Sequence, residues 1–256
     1  MSTHSSSLRL LKGFYSSQTV PYPTPGMVVP DPLADSSATV TPDGLTIELP
    51  RSVDSATKRV MDIVGALGGL LVLAPVMAIV ALLIRLESRG PILFRQPRLG
   101  LRGRVFLCCK FRTMVPDAEK RLRDLEARNE SGGGVLFKIK DDPRVTPLGR
   151  FLRKNSLDEL PQLWNVLMGE MSLVGPRPLQ IRDCERLAEL DPDGYEQRLS
   201  VVPGLTGPWQ IGGRSELDYS RMIDLDREYV ASWTLSTDIA IIIKTVGVVL
   251  EGKGAC

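Results

Sequence analysis

The pattern of apolar and polar positions divides the chain into three parts. Residues 1–50 are rich in Ser, Thr and Pro and show no sustained period. Such a segment buries too little apolar surface to offset the entropy lost on ordering, so we predict a disordered tail. A membrane-embedded segment is predicted at 51–90, and residues 91–256 carry the mixed pattern of a folded domain.

The most distinctive feature of the pattern is an apolar run at 63–84 (IVGALGGLLVLAPVMAIVALLI). It contains 22 positions without a charge, and about 20 apolar residues are enough to cross the hydrocarbon core. A core helix of a soluble protein normally keeps a polar face, and this run has none. It therefore predicts a membrane helix, with a kink at Pro75, which removes a helix hydrogen bond at the midpoint.

Basic residues flank the apolar run on both sides. Arg51, Lys58 and Arg59 precede it, and the segment 85–112 carries eight Lys or Arg residues and one Glu, a net charge of +7. Lys and Arg favour the cytoplasmic side of a membrane. Basic residues on both flanks suit a bent, re-entrant helix whose two ends are cytoplasmic. A simple span with the longer C-terminal part inside is the alternative.

The remaining chain predicts a mainly α-helical domain with one short β-hairpin. Two strand-like runs between Ile92 and Met114 bracket a turn that carries Gly100 and Gly103. A Gly- and Pro-rich loop with Trp209 is predicted at 201–215. Helices are predicted at 116–130, 157–167, 178–200 and from Ile239 onward, the last as an amphipathic helix that lies on the membrane interface or on the core.

Composition narrows the chemistry that this domain can perform. The single histidine is His4, and the four cysteines show no CxxC spacing, which disfavours zinc sites and excludes a His general base in the folded domain. The net charge of +2 does not identify a partner by itself. Any catalysis must therefore rest on carboxylates, Lys and Arg. Cysteines without a pairing pattern fit a reducing, cytoplasmic compartment.

The stretch NSLDELPQLWN (155–165) contains the candidate site. Ser156 and Glu159 match the S-x-x-E capping box of a helix start, and Pro161 favours a start at Asp158 instead. The second interpretation is catalytic: an ionised Asp158 at the positive end of a helix, where a carboxylate pKa is lowered, could attack phosphorus. Both interpretations are open on the residues alone.

A carboxylate that attacks a phosphate needs cations to neutralise the combined negative charge. Glu159 could hold a hard divalent cation, and Arg153 and Arg177 could clamp the phosphate. Lys110 and Arg112 lie near the membrane end and could contribute further. Taken singly, each of these cations has the alternative role of a surface or lipid-headgroup contact.

Three blocks carry a resemblance to a known family. KFRTM (110–114), DDPRVTPLGRFLRKNSLDELPQLWNVLMGEMSLVGPRP (141–178) and PGLTGPWQIGGRS (203–215) resemble the signature blocks of the bacterial sugar transferases, which are monotopic phosphoglycosyl transferases. The resemblance runs from about residue 54 to 250. It implies a membrane-anchored monotopic α/β domain with a re-entrant helix broken at a Pro, and interfacial amphipathic helices.

The resemblance also implies an activity and assigns residues to it. Such enzymes transfer a sugar phosphate from a UDP-sugar to polyprenyl (undecaprenyl) phosphate, release UMP and use Mg²⁺. By position, Asp158 would be the nucleophile and Glu159 the metal ligand. Arg153 and Arg177 would contact phosphate, with Lys110 in the matching basic motif. Arg112 and Arg214 are further phosphate-binding candidates. Trp209 and Arg214 are also candidates to close over the nucleotide, and packing within the loop is an equal alternative for both.

The same resemblance predicts where the protein acts and with what. We expect the cytoplasmic face of the bacterial inner membrane, contacts with lipid headgroups and no nucleic-acid partner; a homodimer is left open. Two other functions are alternatives: a glycosyltransferase that releases UDP, and a non-enzymatic scaffold for polysaccharide assembly. The donor sugar, the pathway and a role for the N-terminal tail do not follow from the sequence.

Overall fold

The computed structural model describes residues 56–118, 120–121, 142–212 and 219–251. The predicted tail at 1–50, most of the predicted helix at 116–130, and Arg214 lie outside these residues. Within them the fold is mainly helical with two small sheets. This agrees with the predicted fold class in its coarse form, a helical protein with little β structure and one long apolar helix near its start.

The apolar run forms a single helix, α1 (Ala56–Glu87), of 32 residues. Within the described ranges, it alone is long and apolar enough to cross a membrane, judged by length and composition. One face of α1 is exposed and apolar; on it Leu71 and Val72 are about three quarters exposed. Such a face is costly in water and suited to lipid.

Pro75 lies inside α1, and the helix continues on both sides of it. The predicted kink at Pro75, which a helix assigned as continuous can contain, stays a prediction. The proline nitrogen cannot donate to the carbonyl of Leu71 one turn earlier, so a single bond is lost from a long helix. Re-entry into the membrane stays a prediction.

The opposite face of α1 packs against the rest of the protein along its length. Near its start, Ala66 contributes to a buried cluster with Leu163, Val166 and Met171. Near its end, Val80 and Ile84 pack in a second cluster with Phe111 and Leu152. The helix is thus a structural part of the domain as well as an apolar surface.

The predicted hairpin is confirmed. β1 (Leu93–Leu99) pairs with β2 (Val105–Phe111) in an antiparallel register that sets Leu93 opposite Phe111 and Leu99 opposite Val105. A short 3-10 turn, Leu101–Gly103, joins them, and Gly103 adopts a φ of +75° there. Only glycine takes that conformation without steric cost, which explains the glycine in this turn.

A second sheet was not predicted. β3 (Ser172–Val174) runs parallel to β4 (Gly204–Thr206), with Ser172 opposite Gly204. Each strand has three residues, too few to show an alternating pattern. The predicted loop at 201–215 therefore contains a strand, followed by a short helix at Pro208–Ile211 that carries Trp209.

The helices after the hairpin form the body of the domain. They are α2 (Pro147–Lys154), α3 (Gln162–Met168), α4 (Ile181–Leu190), α5 (Pro192–Leu199), α6 (Pro208–Ile211), α7 (Tyr219–Ala231) and α8 (Leu235–Glu251). The predicted helix at 178–200 is two helices, because Pro192 disfavours a helical residue before it. Asp191 there accepts a hydrogen bond from the Gly194 N–H at 2.9 Å and caps α5.

The start of α1 is tied to the far end of the chain by a buried polar network. The Lys58 ammonium lies 2.5 Å from Asp238 Oδ2 of α8 and donates to the Val174 carbonyl at 2.9 Å. The Tyr229 hydroxyl lies 2.7 Å from the second oxygen of Asp238. Lys58 and Asp238 are both buried, so this network fixes α1 to β3 and α8.

Candidate active site

The Asp158–Glu159 pair lies in a short 3-10 turn, Leu157–Glu159, between α2 and α3. The predicted capping box is wrong: Ser156 adopts a left-handed φ of 55° and its side chain caps nothing, while α3 begins after Pro161. Leu157 and Leu160, on either side of the pair, pack against the cluster that contains Val80 and Ile84 of α1. The apolar helix α1 therefore helps to position the two carboxylates.

Glu159 is held by two cations from distant parts of the chain. Its Oε1 lies 2.7 Å from the Lys110 Nζ at the end of β2 and also pairs with the Arg177 guanidinium. A second Arg177 nitrogen donates to Oε2 at 3.2 Å. Burial alone would raise the pKa of Glu159, but the charges and hydrogen bonds of Arg177 and Lys110 hold it well below its usual range. Glu159 is therefore ionised at neutral pH.

Asp158 has a different environment from its neighbour. Its side chain is buried, with 8% of the residue exposed, and no residue of the described ranges donates a hydrogen bond to its carboxylate. Burial raises the pKa of Asp158 above its ordinary value, opposed by the charges of Lys110, Arg153 and Arg177, and the Glu159 charge raises it further. The sequence prediction of a lowered pKa was wrong because Asp158 lies in a 3-10 turn before α3 and its burial outweighs the charges of Lys110, Arg153 and Arg177.

A carboxylate that is buried but unbonded is a strong nucleophile. Hydrogen bonds and solvation stabilise the anion and must be given up during an attack. Asp158 has already lost most of its solvation on folding. The charges of Lys110, Arg153 and Arg177 stabilise its ionised form. The pair thus divides into Glu159, which organises cations, and Asp158, which is available to react.

Arg153 is brought to the same site from α2. Its Nε donates to Thr113 Oγ1 at 2.9 Å. Among the charges that affect the pKa of Arg153, that of Asp158 has the largest effect. Burial lowers the pKa of Arg153 from its ordinary value. The hydrogen bond to Thr113 leaves the outer guanidinium nitrogens to serve an anion. Thr113 is a residue that the sequence reasoning did not single out.

Arg177 connects the site to α6. Its guanidinium carbon lies 5.7 Å from the centre of the Trp209 ring, a cation–π distance. Burial lowers the pKa of Arg177, but the Glu159 charge and hydrogen bond raise it above its ordinary value. Arg177 is therefore charged, and one aromatic ring borders it. Trp209 also packs against the buried cluster that contains Leu179 and Leu187, so packing accounts for its position as well, and its role at the nucleotide stays a prediction.

The structure does not bring Arg112 to the pair, although the sequence predicted it there. Its guanidinium donates to the carbonyls of Ser88 and Arg89, at 2.8 and 3.2 Å, and so caps the end of α1. Glu87 and Arg85 are the charges that act on it. A cation satisfies the unpaired carbonyls at a helix C-terminus, so Arg112 stabilises the end of α1.

The predicted metal ligand can be judged by its surroundings. Across the ranges that the structure describes, no group of three or more His, Cys, Asp or Glu side chains could hold a metal ion. Mg²⁺, however, is commonly bound by one or two carboxylates together with substrate phosphates. Glu159 and Asp158 fit that donor set in chemical type, with Glu159 already sharing its oxygens with Lys110 and Arg177.

Comparison with known proteins identifies the family. The model of the bacterial sugar transferase family matches residues 53–252. The chain belongs to the bacterial sugar transferase family. The match includes α1, the hairpin, the Asp158–Glu159 pair and Arg177, so each structural part described above lies within the family domain.

Curated relatives share this region at high identity. Galactosyl transferase CpsE of Streptococcus agalactiae serotype III is 45% identical over 199 residues, which are 77% of this chain and 43% of the relative. Undecaprenyl-phosphate galactose phosphotransferase of Salmonella typhimurium is 44% identical over 201 residues, 77% of this chain and 41% of the relative. The sugar transferase domain here therefore corresponds to less than half of those proteins.

A shorter relative matches over most of its length. Exopolysaccharide production protein ExoY of Sinorhizobium fredii is 38% identical over 208 residues, which cover 80% of this chain and 90% of ExoY. The family domain can thus make up nearly the whole of a curated protein.

Proposed function

We propose that this sugar transferase moves a sugar 1-phosphate from a UDP-sugar to a polyprenyl phosphate such as undecaprenyl phosphate and releases UMP. The observation that carries the proposal is the division within the pair: Glu159 is ion-paired with Lys110 and Arg177, whereas no described residue donates a hydrogen bond to the buried Asp158 carboxylate. Relatives named as undecaprenyl-phosphate galactose phosphotransferase and as UDP-glucose:undecaprenyl-phosphate glucose-1-phosphate transferase support the same chemistry.

The proposed reaction has two displacements at the same phosphorus. An Asp158 oxygen attacks the phosphorus that bears the sugar, the bond from that phosphorus to the bridging oxygen breaks, and UMP leaves with the electron pair. The product is a phosphosugar joined to the Asp158 carboxylate. An oxygen of the polyprenyl phosphate then attacks this phosphorus and displaces the carboxylate, which restores Asp158 and gives a polyprenyl-diphosphate sugar.

Each cation has a separate part in this proposal. Arg153 stands beside Asp158 and would bind the diphosphate as it approaches, with its Nε held by Thr113. Lys110 and Arg177 would neutralise the charge that develops on the departing UMP, since preorganised cations stabilise such charge without reorganisation. Arg214 stays a predicted phosphate contact outside the described residues.

We propose Mg²⁺ as the cofactor, held by Glu159 together with oxygens of the substrate diphosphate. When bound, the ion would neutralise phosphate charge and orient the diphosphate. The carboxylate types of the pair support this assignment. The ion would share the Glu159 oxygens with Lys110 and Arg177, which pair with them in the structure.

The contacts of α1 support a placement on one face of the membrane. The Lys58 ammonium near its start is bound to Asp238, and the Glu87 carboxylate at its end accepts the Leu148 N–H at 3.0 Å. A simple span would separate these two ends by a bilayer whose core is about 30 Å thick. Both ends instead contact one domain, which favours re-entry with both ends cytoplasmic over a span.

The exposed apolar surface supports the same placement. On α8, Ile239, Ile243 and Val246 are exposed at helical spacing, as expected of an interfacial helix. We propose that this face and the exposed face of α1 contact acyl chains while the basic segment 85–112 contacts lipid headgroups. The cytoplasmic face of the inner membrane is the proposed location, where polyprenyl phosphate and UDP-sugars meet.

The experiment that tests the reaction measures the released nucleotide. Detergent-purified full-length protein is incubated with Mg²⁺, undecaprenyl phosphate and single UDP-sugars, beginning with UDP-galactose and UDP-glucose, and UMP and UDP are quantified separately. The proposal expects UMP with at least one donor and none with the Asp158→Asn variant. UDP in place of UMP would instead indicate a glycosyltransferase, and no nucleotide with any donor would favour a scaffold.

A further inference from the structure

The segment that carries Arg177 is held at its backbone by basic side chains from three different elements. Lys58 of α1 donates to the Val174 carbonyl at 2.9 Å, and Arg98 of β1 donates to the Pro178 carbonyl at 2.9 Å. Arg198 of α5 donates to the carbonyl of Arg177 itself, at 2.5 Å. Three cations therefore bind main-chain oxygens within five consecutive residues.

We propose that Arg198, with Asp226 as its buried counter-ion, is a positioning residue that sets the Arg177 guanidinium for the transfer. This inference rests on the proposed function, because it assigns Arg198 to the reaction only through Arg177. No feature of the sequence singled out Arg198, which lies in a polar helix twenty-one residues from Arg177.

The contacts of Arg198 form a two-pronged bridge. One terminal nitrogen pairs with the Asp226 carboxylate of α7, and the other donates to the Arg177 carbonyl. Arg198 is 8% exposed and Asp226 is 1% exposed. A planar guanidinium can bind two acceptors in fixed directions, which an ammonium on a flexible stem cannot do equally well. The bridge thus links α7 to the Arg177 backbone through one rigid group.

The backbone beside Arg177 is packed too closely to move independently. A side chain at Gly204 would place its Cβ 2.1 Å from the Gly175 nitrogen, and one at Gly207 would lie 2.3 Å from the Gly175 oxygen. The Gly204 N–H also donates to the Pro176 carbonyl at 2.8 Å. With Gly175 and Pro176 fixed in this way, Arg198 fixes the next carbonyl along the chain, that of Arg177.

The energetics of buried ion pairs favour a positioning role over a purely stabilising one. Desolvation of two buried charges cancels much of their attraction, so such a pair contributes little net stability compared with apolar residues. Burial also raises the pKa of Asp226 despite the neighbouring Arg198 charge. The bond from Arg198 to the Arg177 carbonyl is the feature that an apolar replacement would not reproduce.

The chain offers a matched control on the same two helices. Arg227 of α7 pairs with Asp191, the cap residue of α5, at 2.9 Å. This pair also joins α5 to α7, but it is about one third exposed and touches no part of the Arg177 segment. Replacing Arg227 therefore perturbs the α5–α7 contact and leaves the Arg177 carbonyl bound.

The test compares Arg198→Met, Arg198→Lys and Arg227→Met in the UMP-release assay, with melting temperatures measured on the same preparations. A misplacement of about 1 Å can cost about 100-fold in rate, so Arg198→Met is expected to lower kcat by about that factor. Arg198→Lys should recover about tenfold of the loss, since one of the two contacts can be remade. Arg227→Met should keep kcat within about twofold of wild type.

A double-mutant cycle with Arg177→Lys separates positioning from general stability. If Arg198 acts through Arg177, adding Arg198→Met to Arg177→Lys should change kcat by less than about threefold, because contacting residues in one network are not additive. Asp226→Asn serves in place of Arg198→Met should that variant not fold. Full additivity, or equal losses for Arg198→Met and Arg227→Met, would overturn the inference. Wild-type protein that releases no UMP would overturn the proposed function itself.

Discussion

Replacing each carboxylate of the pair by its amide should shift the melting temperature in opposite directions. Glu159 has a pKa lowered by Arg177 and Lys110, so its charge stabilises the fold at pH above its ordinary pKa of 4.5, and that stability is lost as pH falls through the lowered pKa. Asp158 has a pKa raised by burial, so ionisation costs stability as pH rises above 3.8. At neutral pH, Glu159→Gln removes a favourable charge and Asp158→Asn removes an unfavourable one.

The size of the Glu159 effect follows from its burial. Its side chain is 17% exposed, with Lys110 at 21% and Arg177 at 28%. Removing one partner of a buried pair costs about 3–5 kcal/mol, and these partly exposed groups set the expectation at about 3 kcal/mol. With about 2–4 °C per kcal/mol for a domain of this size, Glu159→Gln should lower the melting temperature by about 6–12 °C. Asp158→Asn should raise it.

The assay is scanning calorimetry of the full-length protein in detergent at pH 7.5, with both variants and wild type in one buffer. Repeating it at pH 5 gives an internal control, because the gain from Asp158→Asn should shrink as wild-type Asp158 becomes protonated. A fall in melting temperature for both variants, or a fall for Asp158→Asn alone, would refute the division of roles within the pair.

Three further predictions concern activity. Asp158 must be ionised to attack, and burial raises its pKa. The kcat for UMP release should therefore fall as the pH drops, with the fall centred above 3.8, the ordinary pKa of an Asp carboxyl. A flat profile between pH 4 and 8 would contradict this. Chelation by EDTA should abolish UMP release, with Mg²⁺ restoring it and the melting temperature unchanged; full activity in EDTA would remove Mg²⁺ from the proposal. Arg112→Met should lower the free energy of unfolding by about 1–3 kcal/mol, because it leaves carbonyls at the end of α1 unpaired. It should lower kcat much less than Arg153→Met does. Equal losses of kcat would indicate that Arg112 acts in the active site.

The elements with a strong local pattern were predictable from the sequence. The run of 22 uncharged residues predicted the long apolar helix α1. Two apolar runs around Gly100 and Gly103 predicted the hairpin. β3 and β4 were missed because each has three residues and their pairing joins positions far apart in the chain. Contacts of that kind leave no local periodicity.

The site residues were predictable as a set, while their individual roles were less so. Lys110 and Arg177 converge on Glu159 as the need for charge neutralisation suggested. Arg112 does not join them. In a continuous strand, positions 110 and 112 would lie on the same face, but β2 ends at Phe111 and Arg112 lies beyond it. The direction of the Asp158 pKa shift was wrong because local sequence shows the helix dipole but does not show burial by distant residues.

Arg198 illustrates a residue that sequence reasoning could not assign. Its charge is ordinary for a polar helix, and its contacts with Asp226 and the Arg177 carbonyl arise only when α5, α7 and the Arg177 segment meet. The same holds for Lys58, which looked like a flanking charge of the membrane helix and is instead buried beside Asp238. Buried polar contacts between distant segments need the structure.

The most direct measurement of the central claim is the capture of the covalent intermediate on Asp158. Full-length protein in detergent is mixed with Mg²⁺ and the accepted UDP-sugar in the absence of polyprenyl phosphate, and the protein is digested and mapped by mass spectrometry. The account predicts a burst of about one UMP per protein molecule and a phosphosugar on the peptide that contains Asp158, both absent in Asp158→Asn. Steady UMP release without an adduct, or an adduct on Glu159, would contradict it.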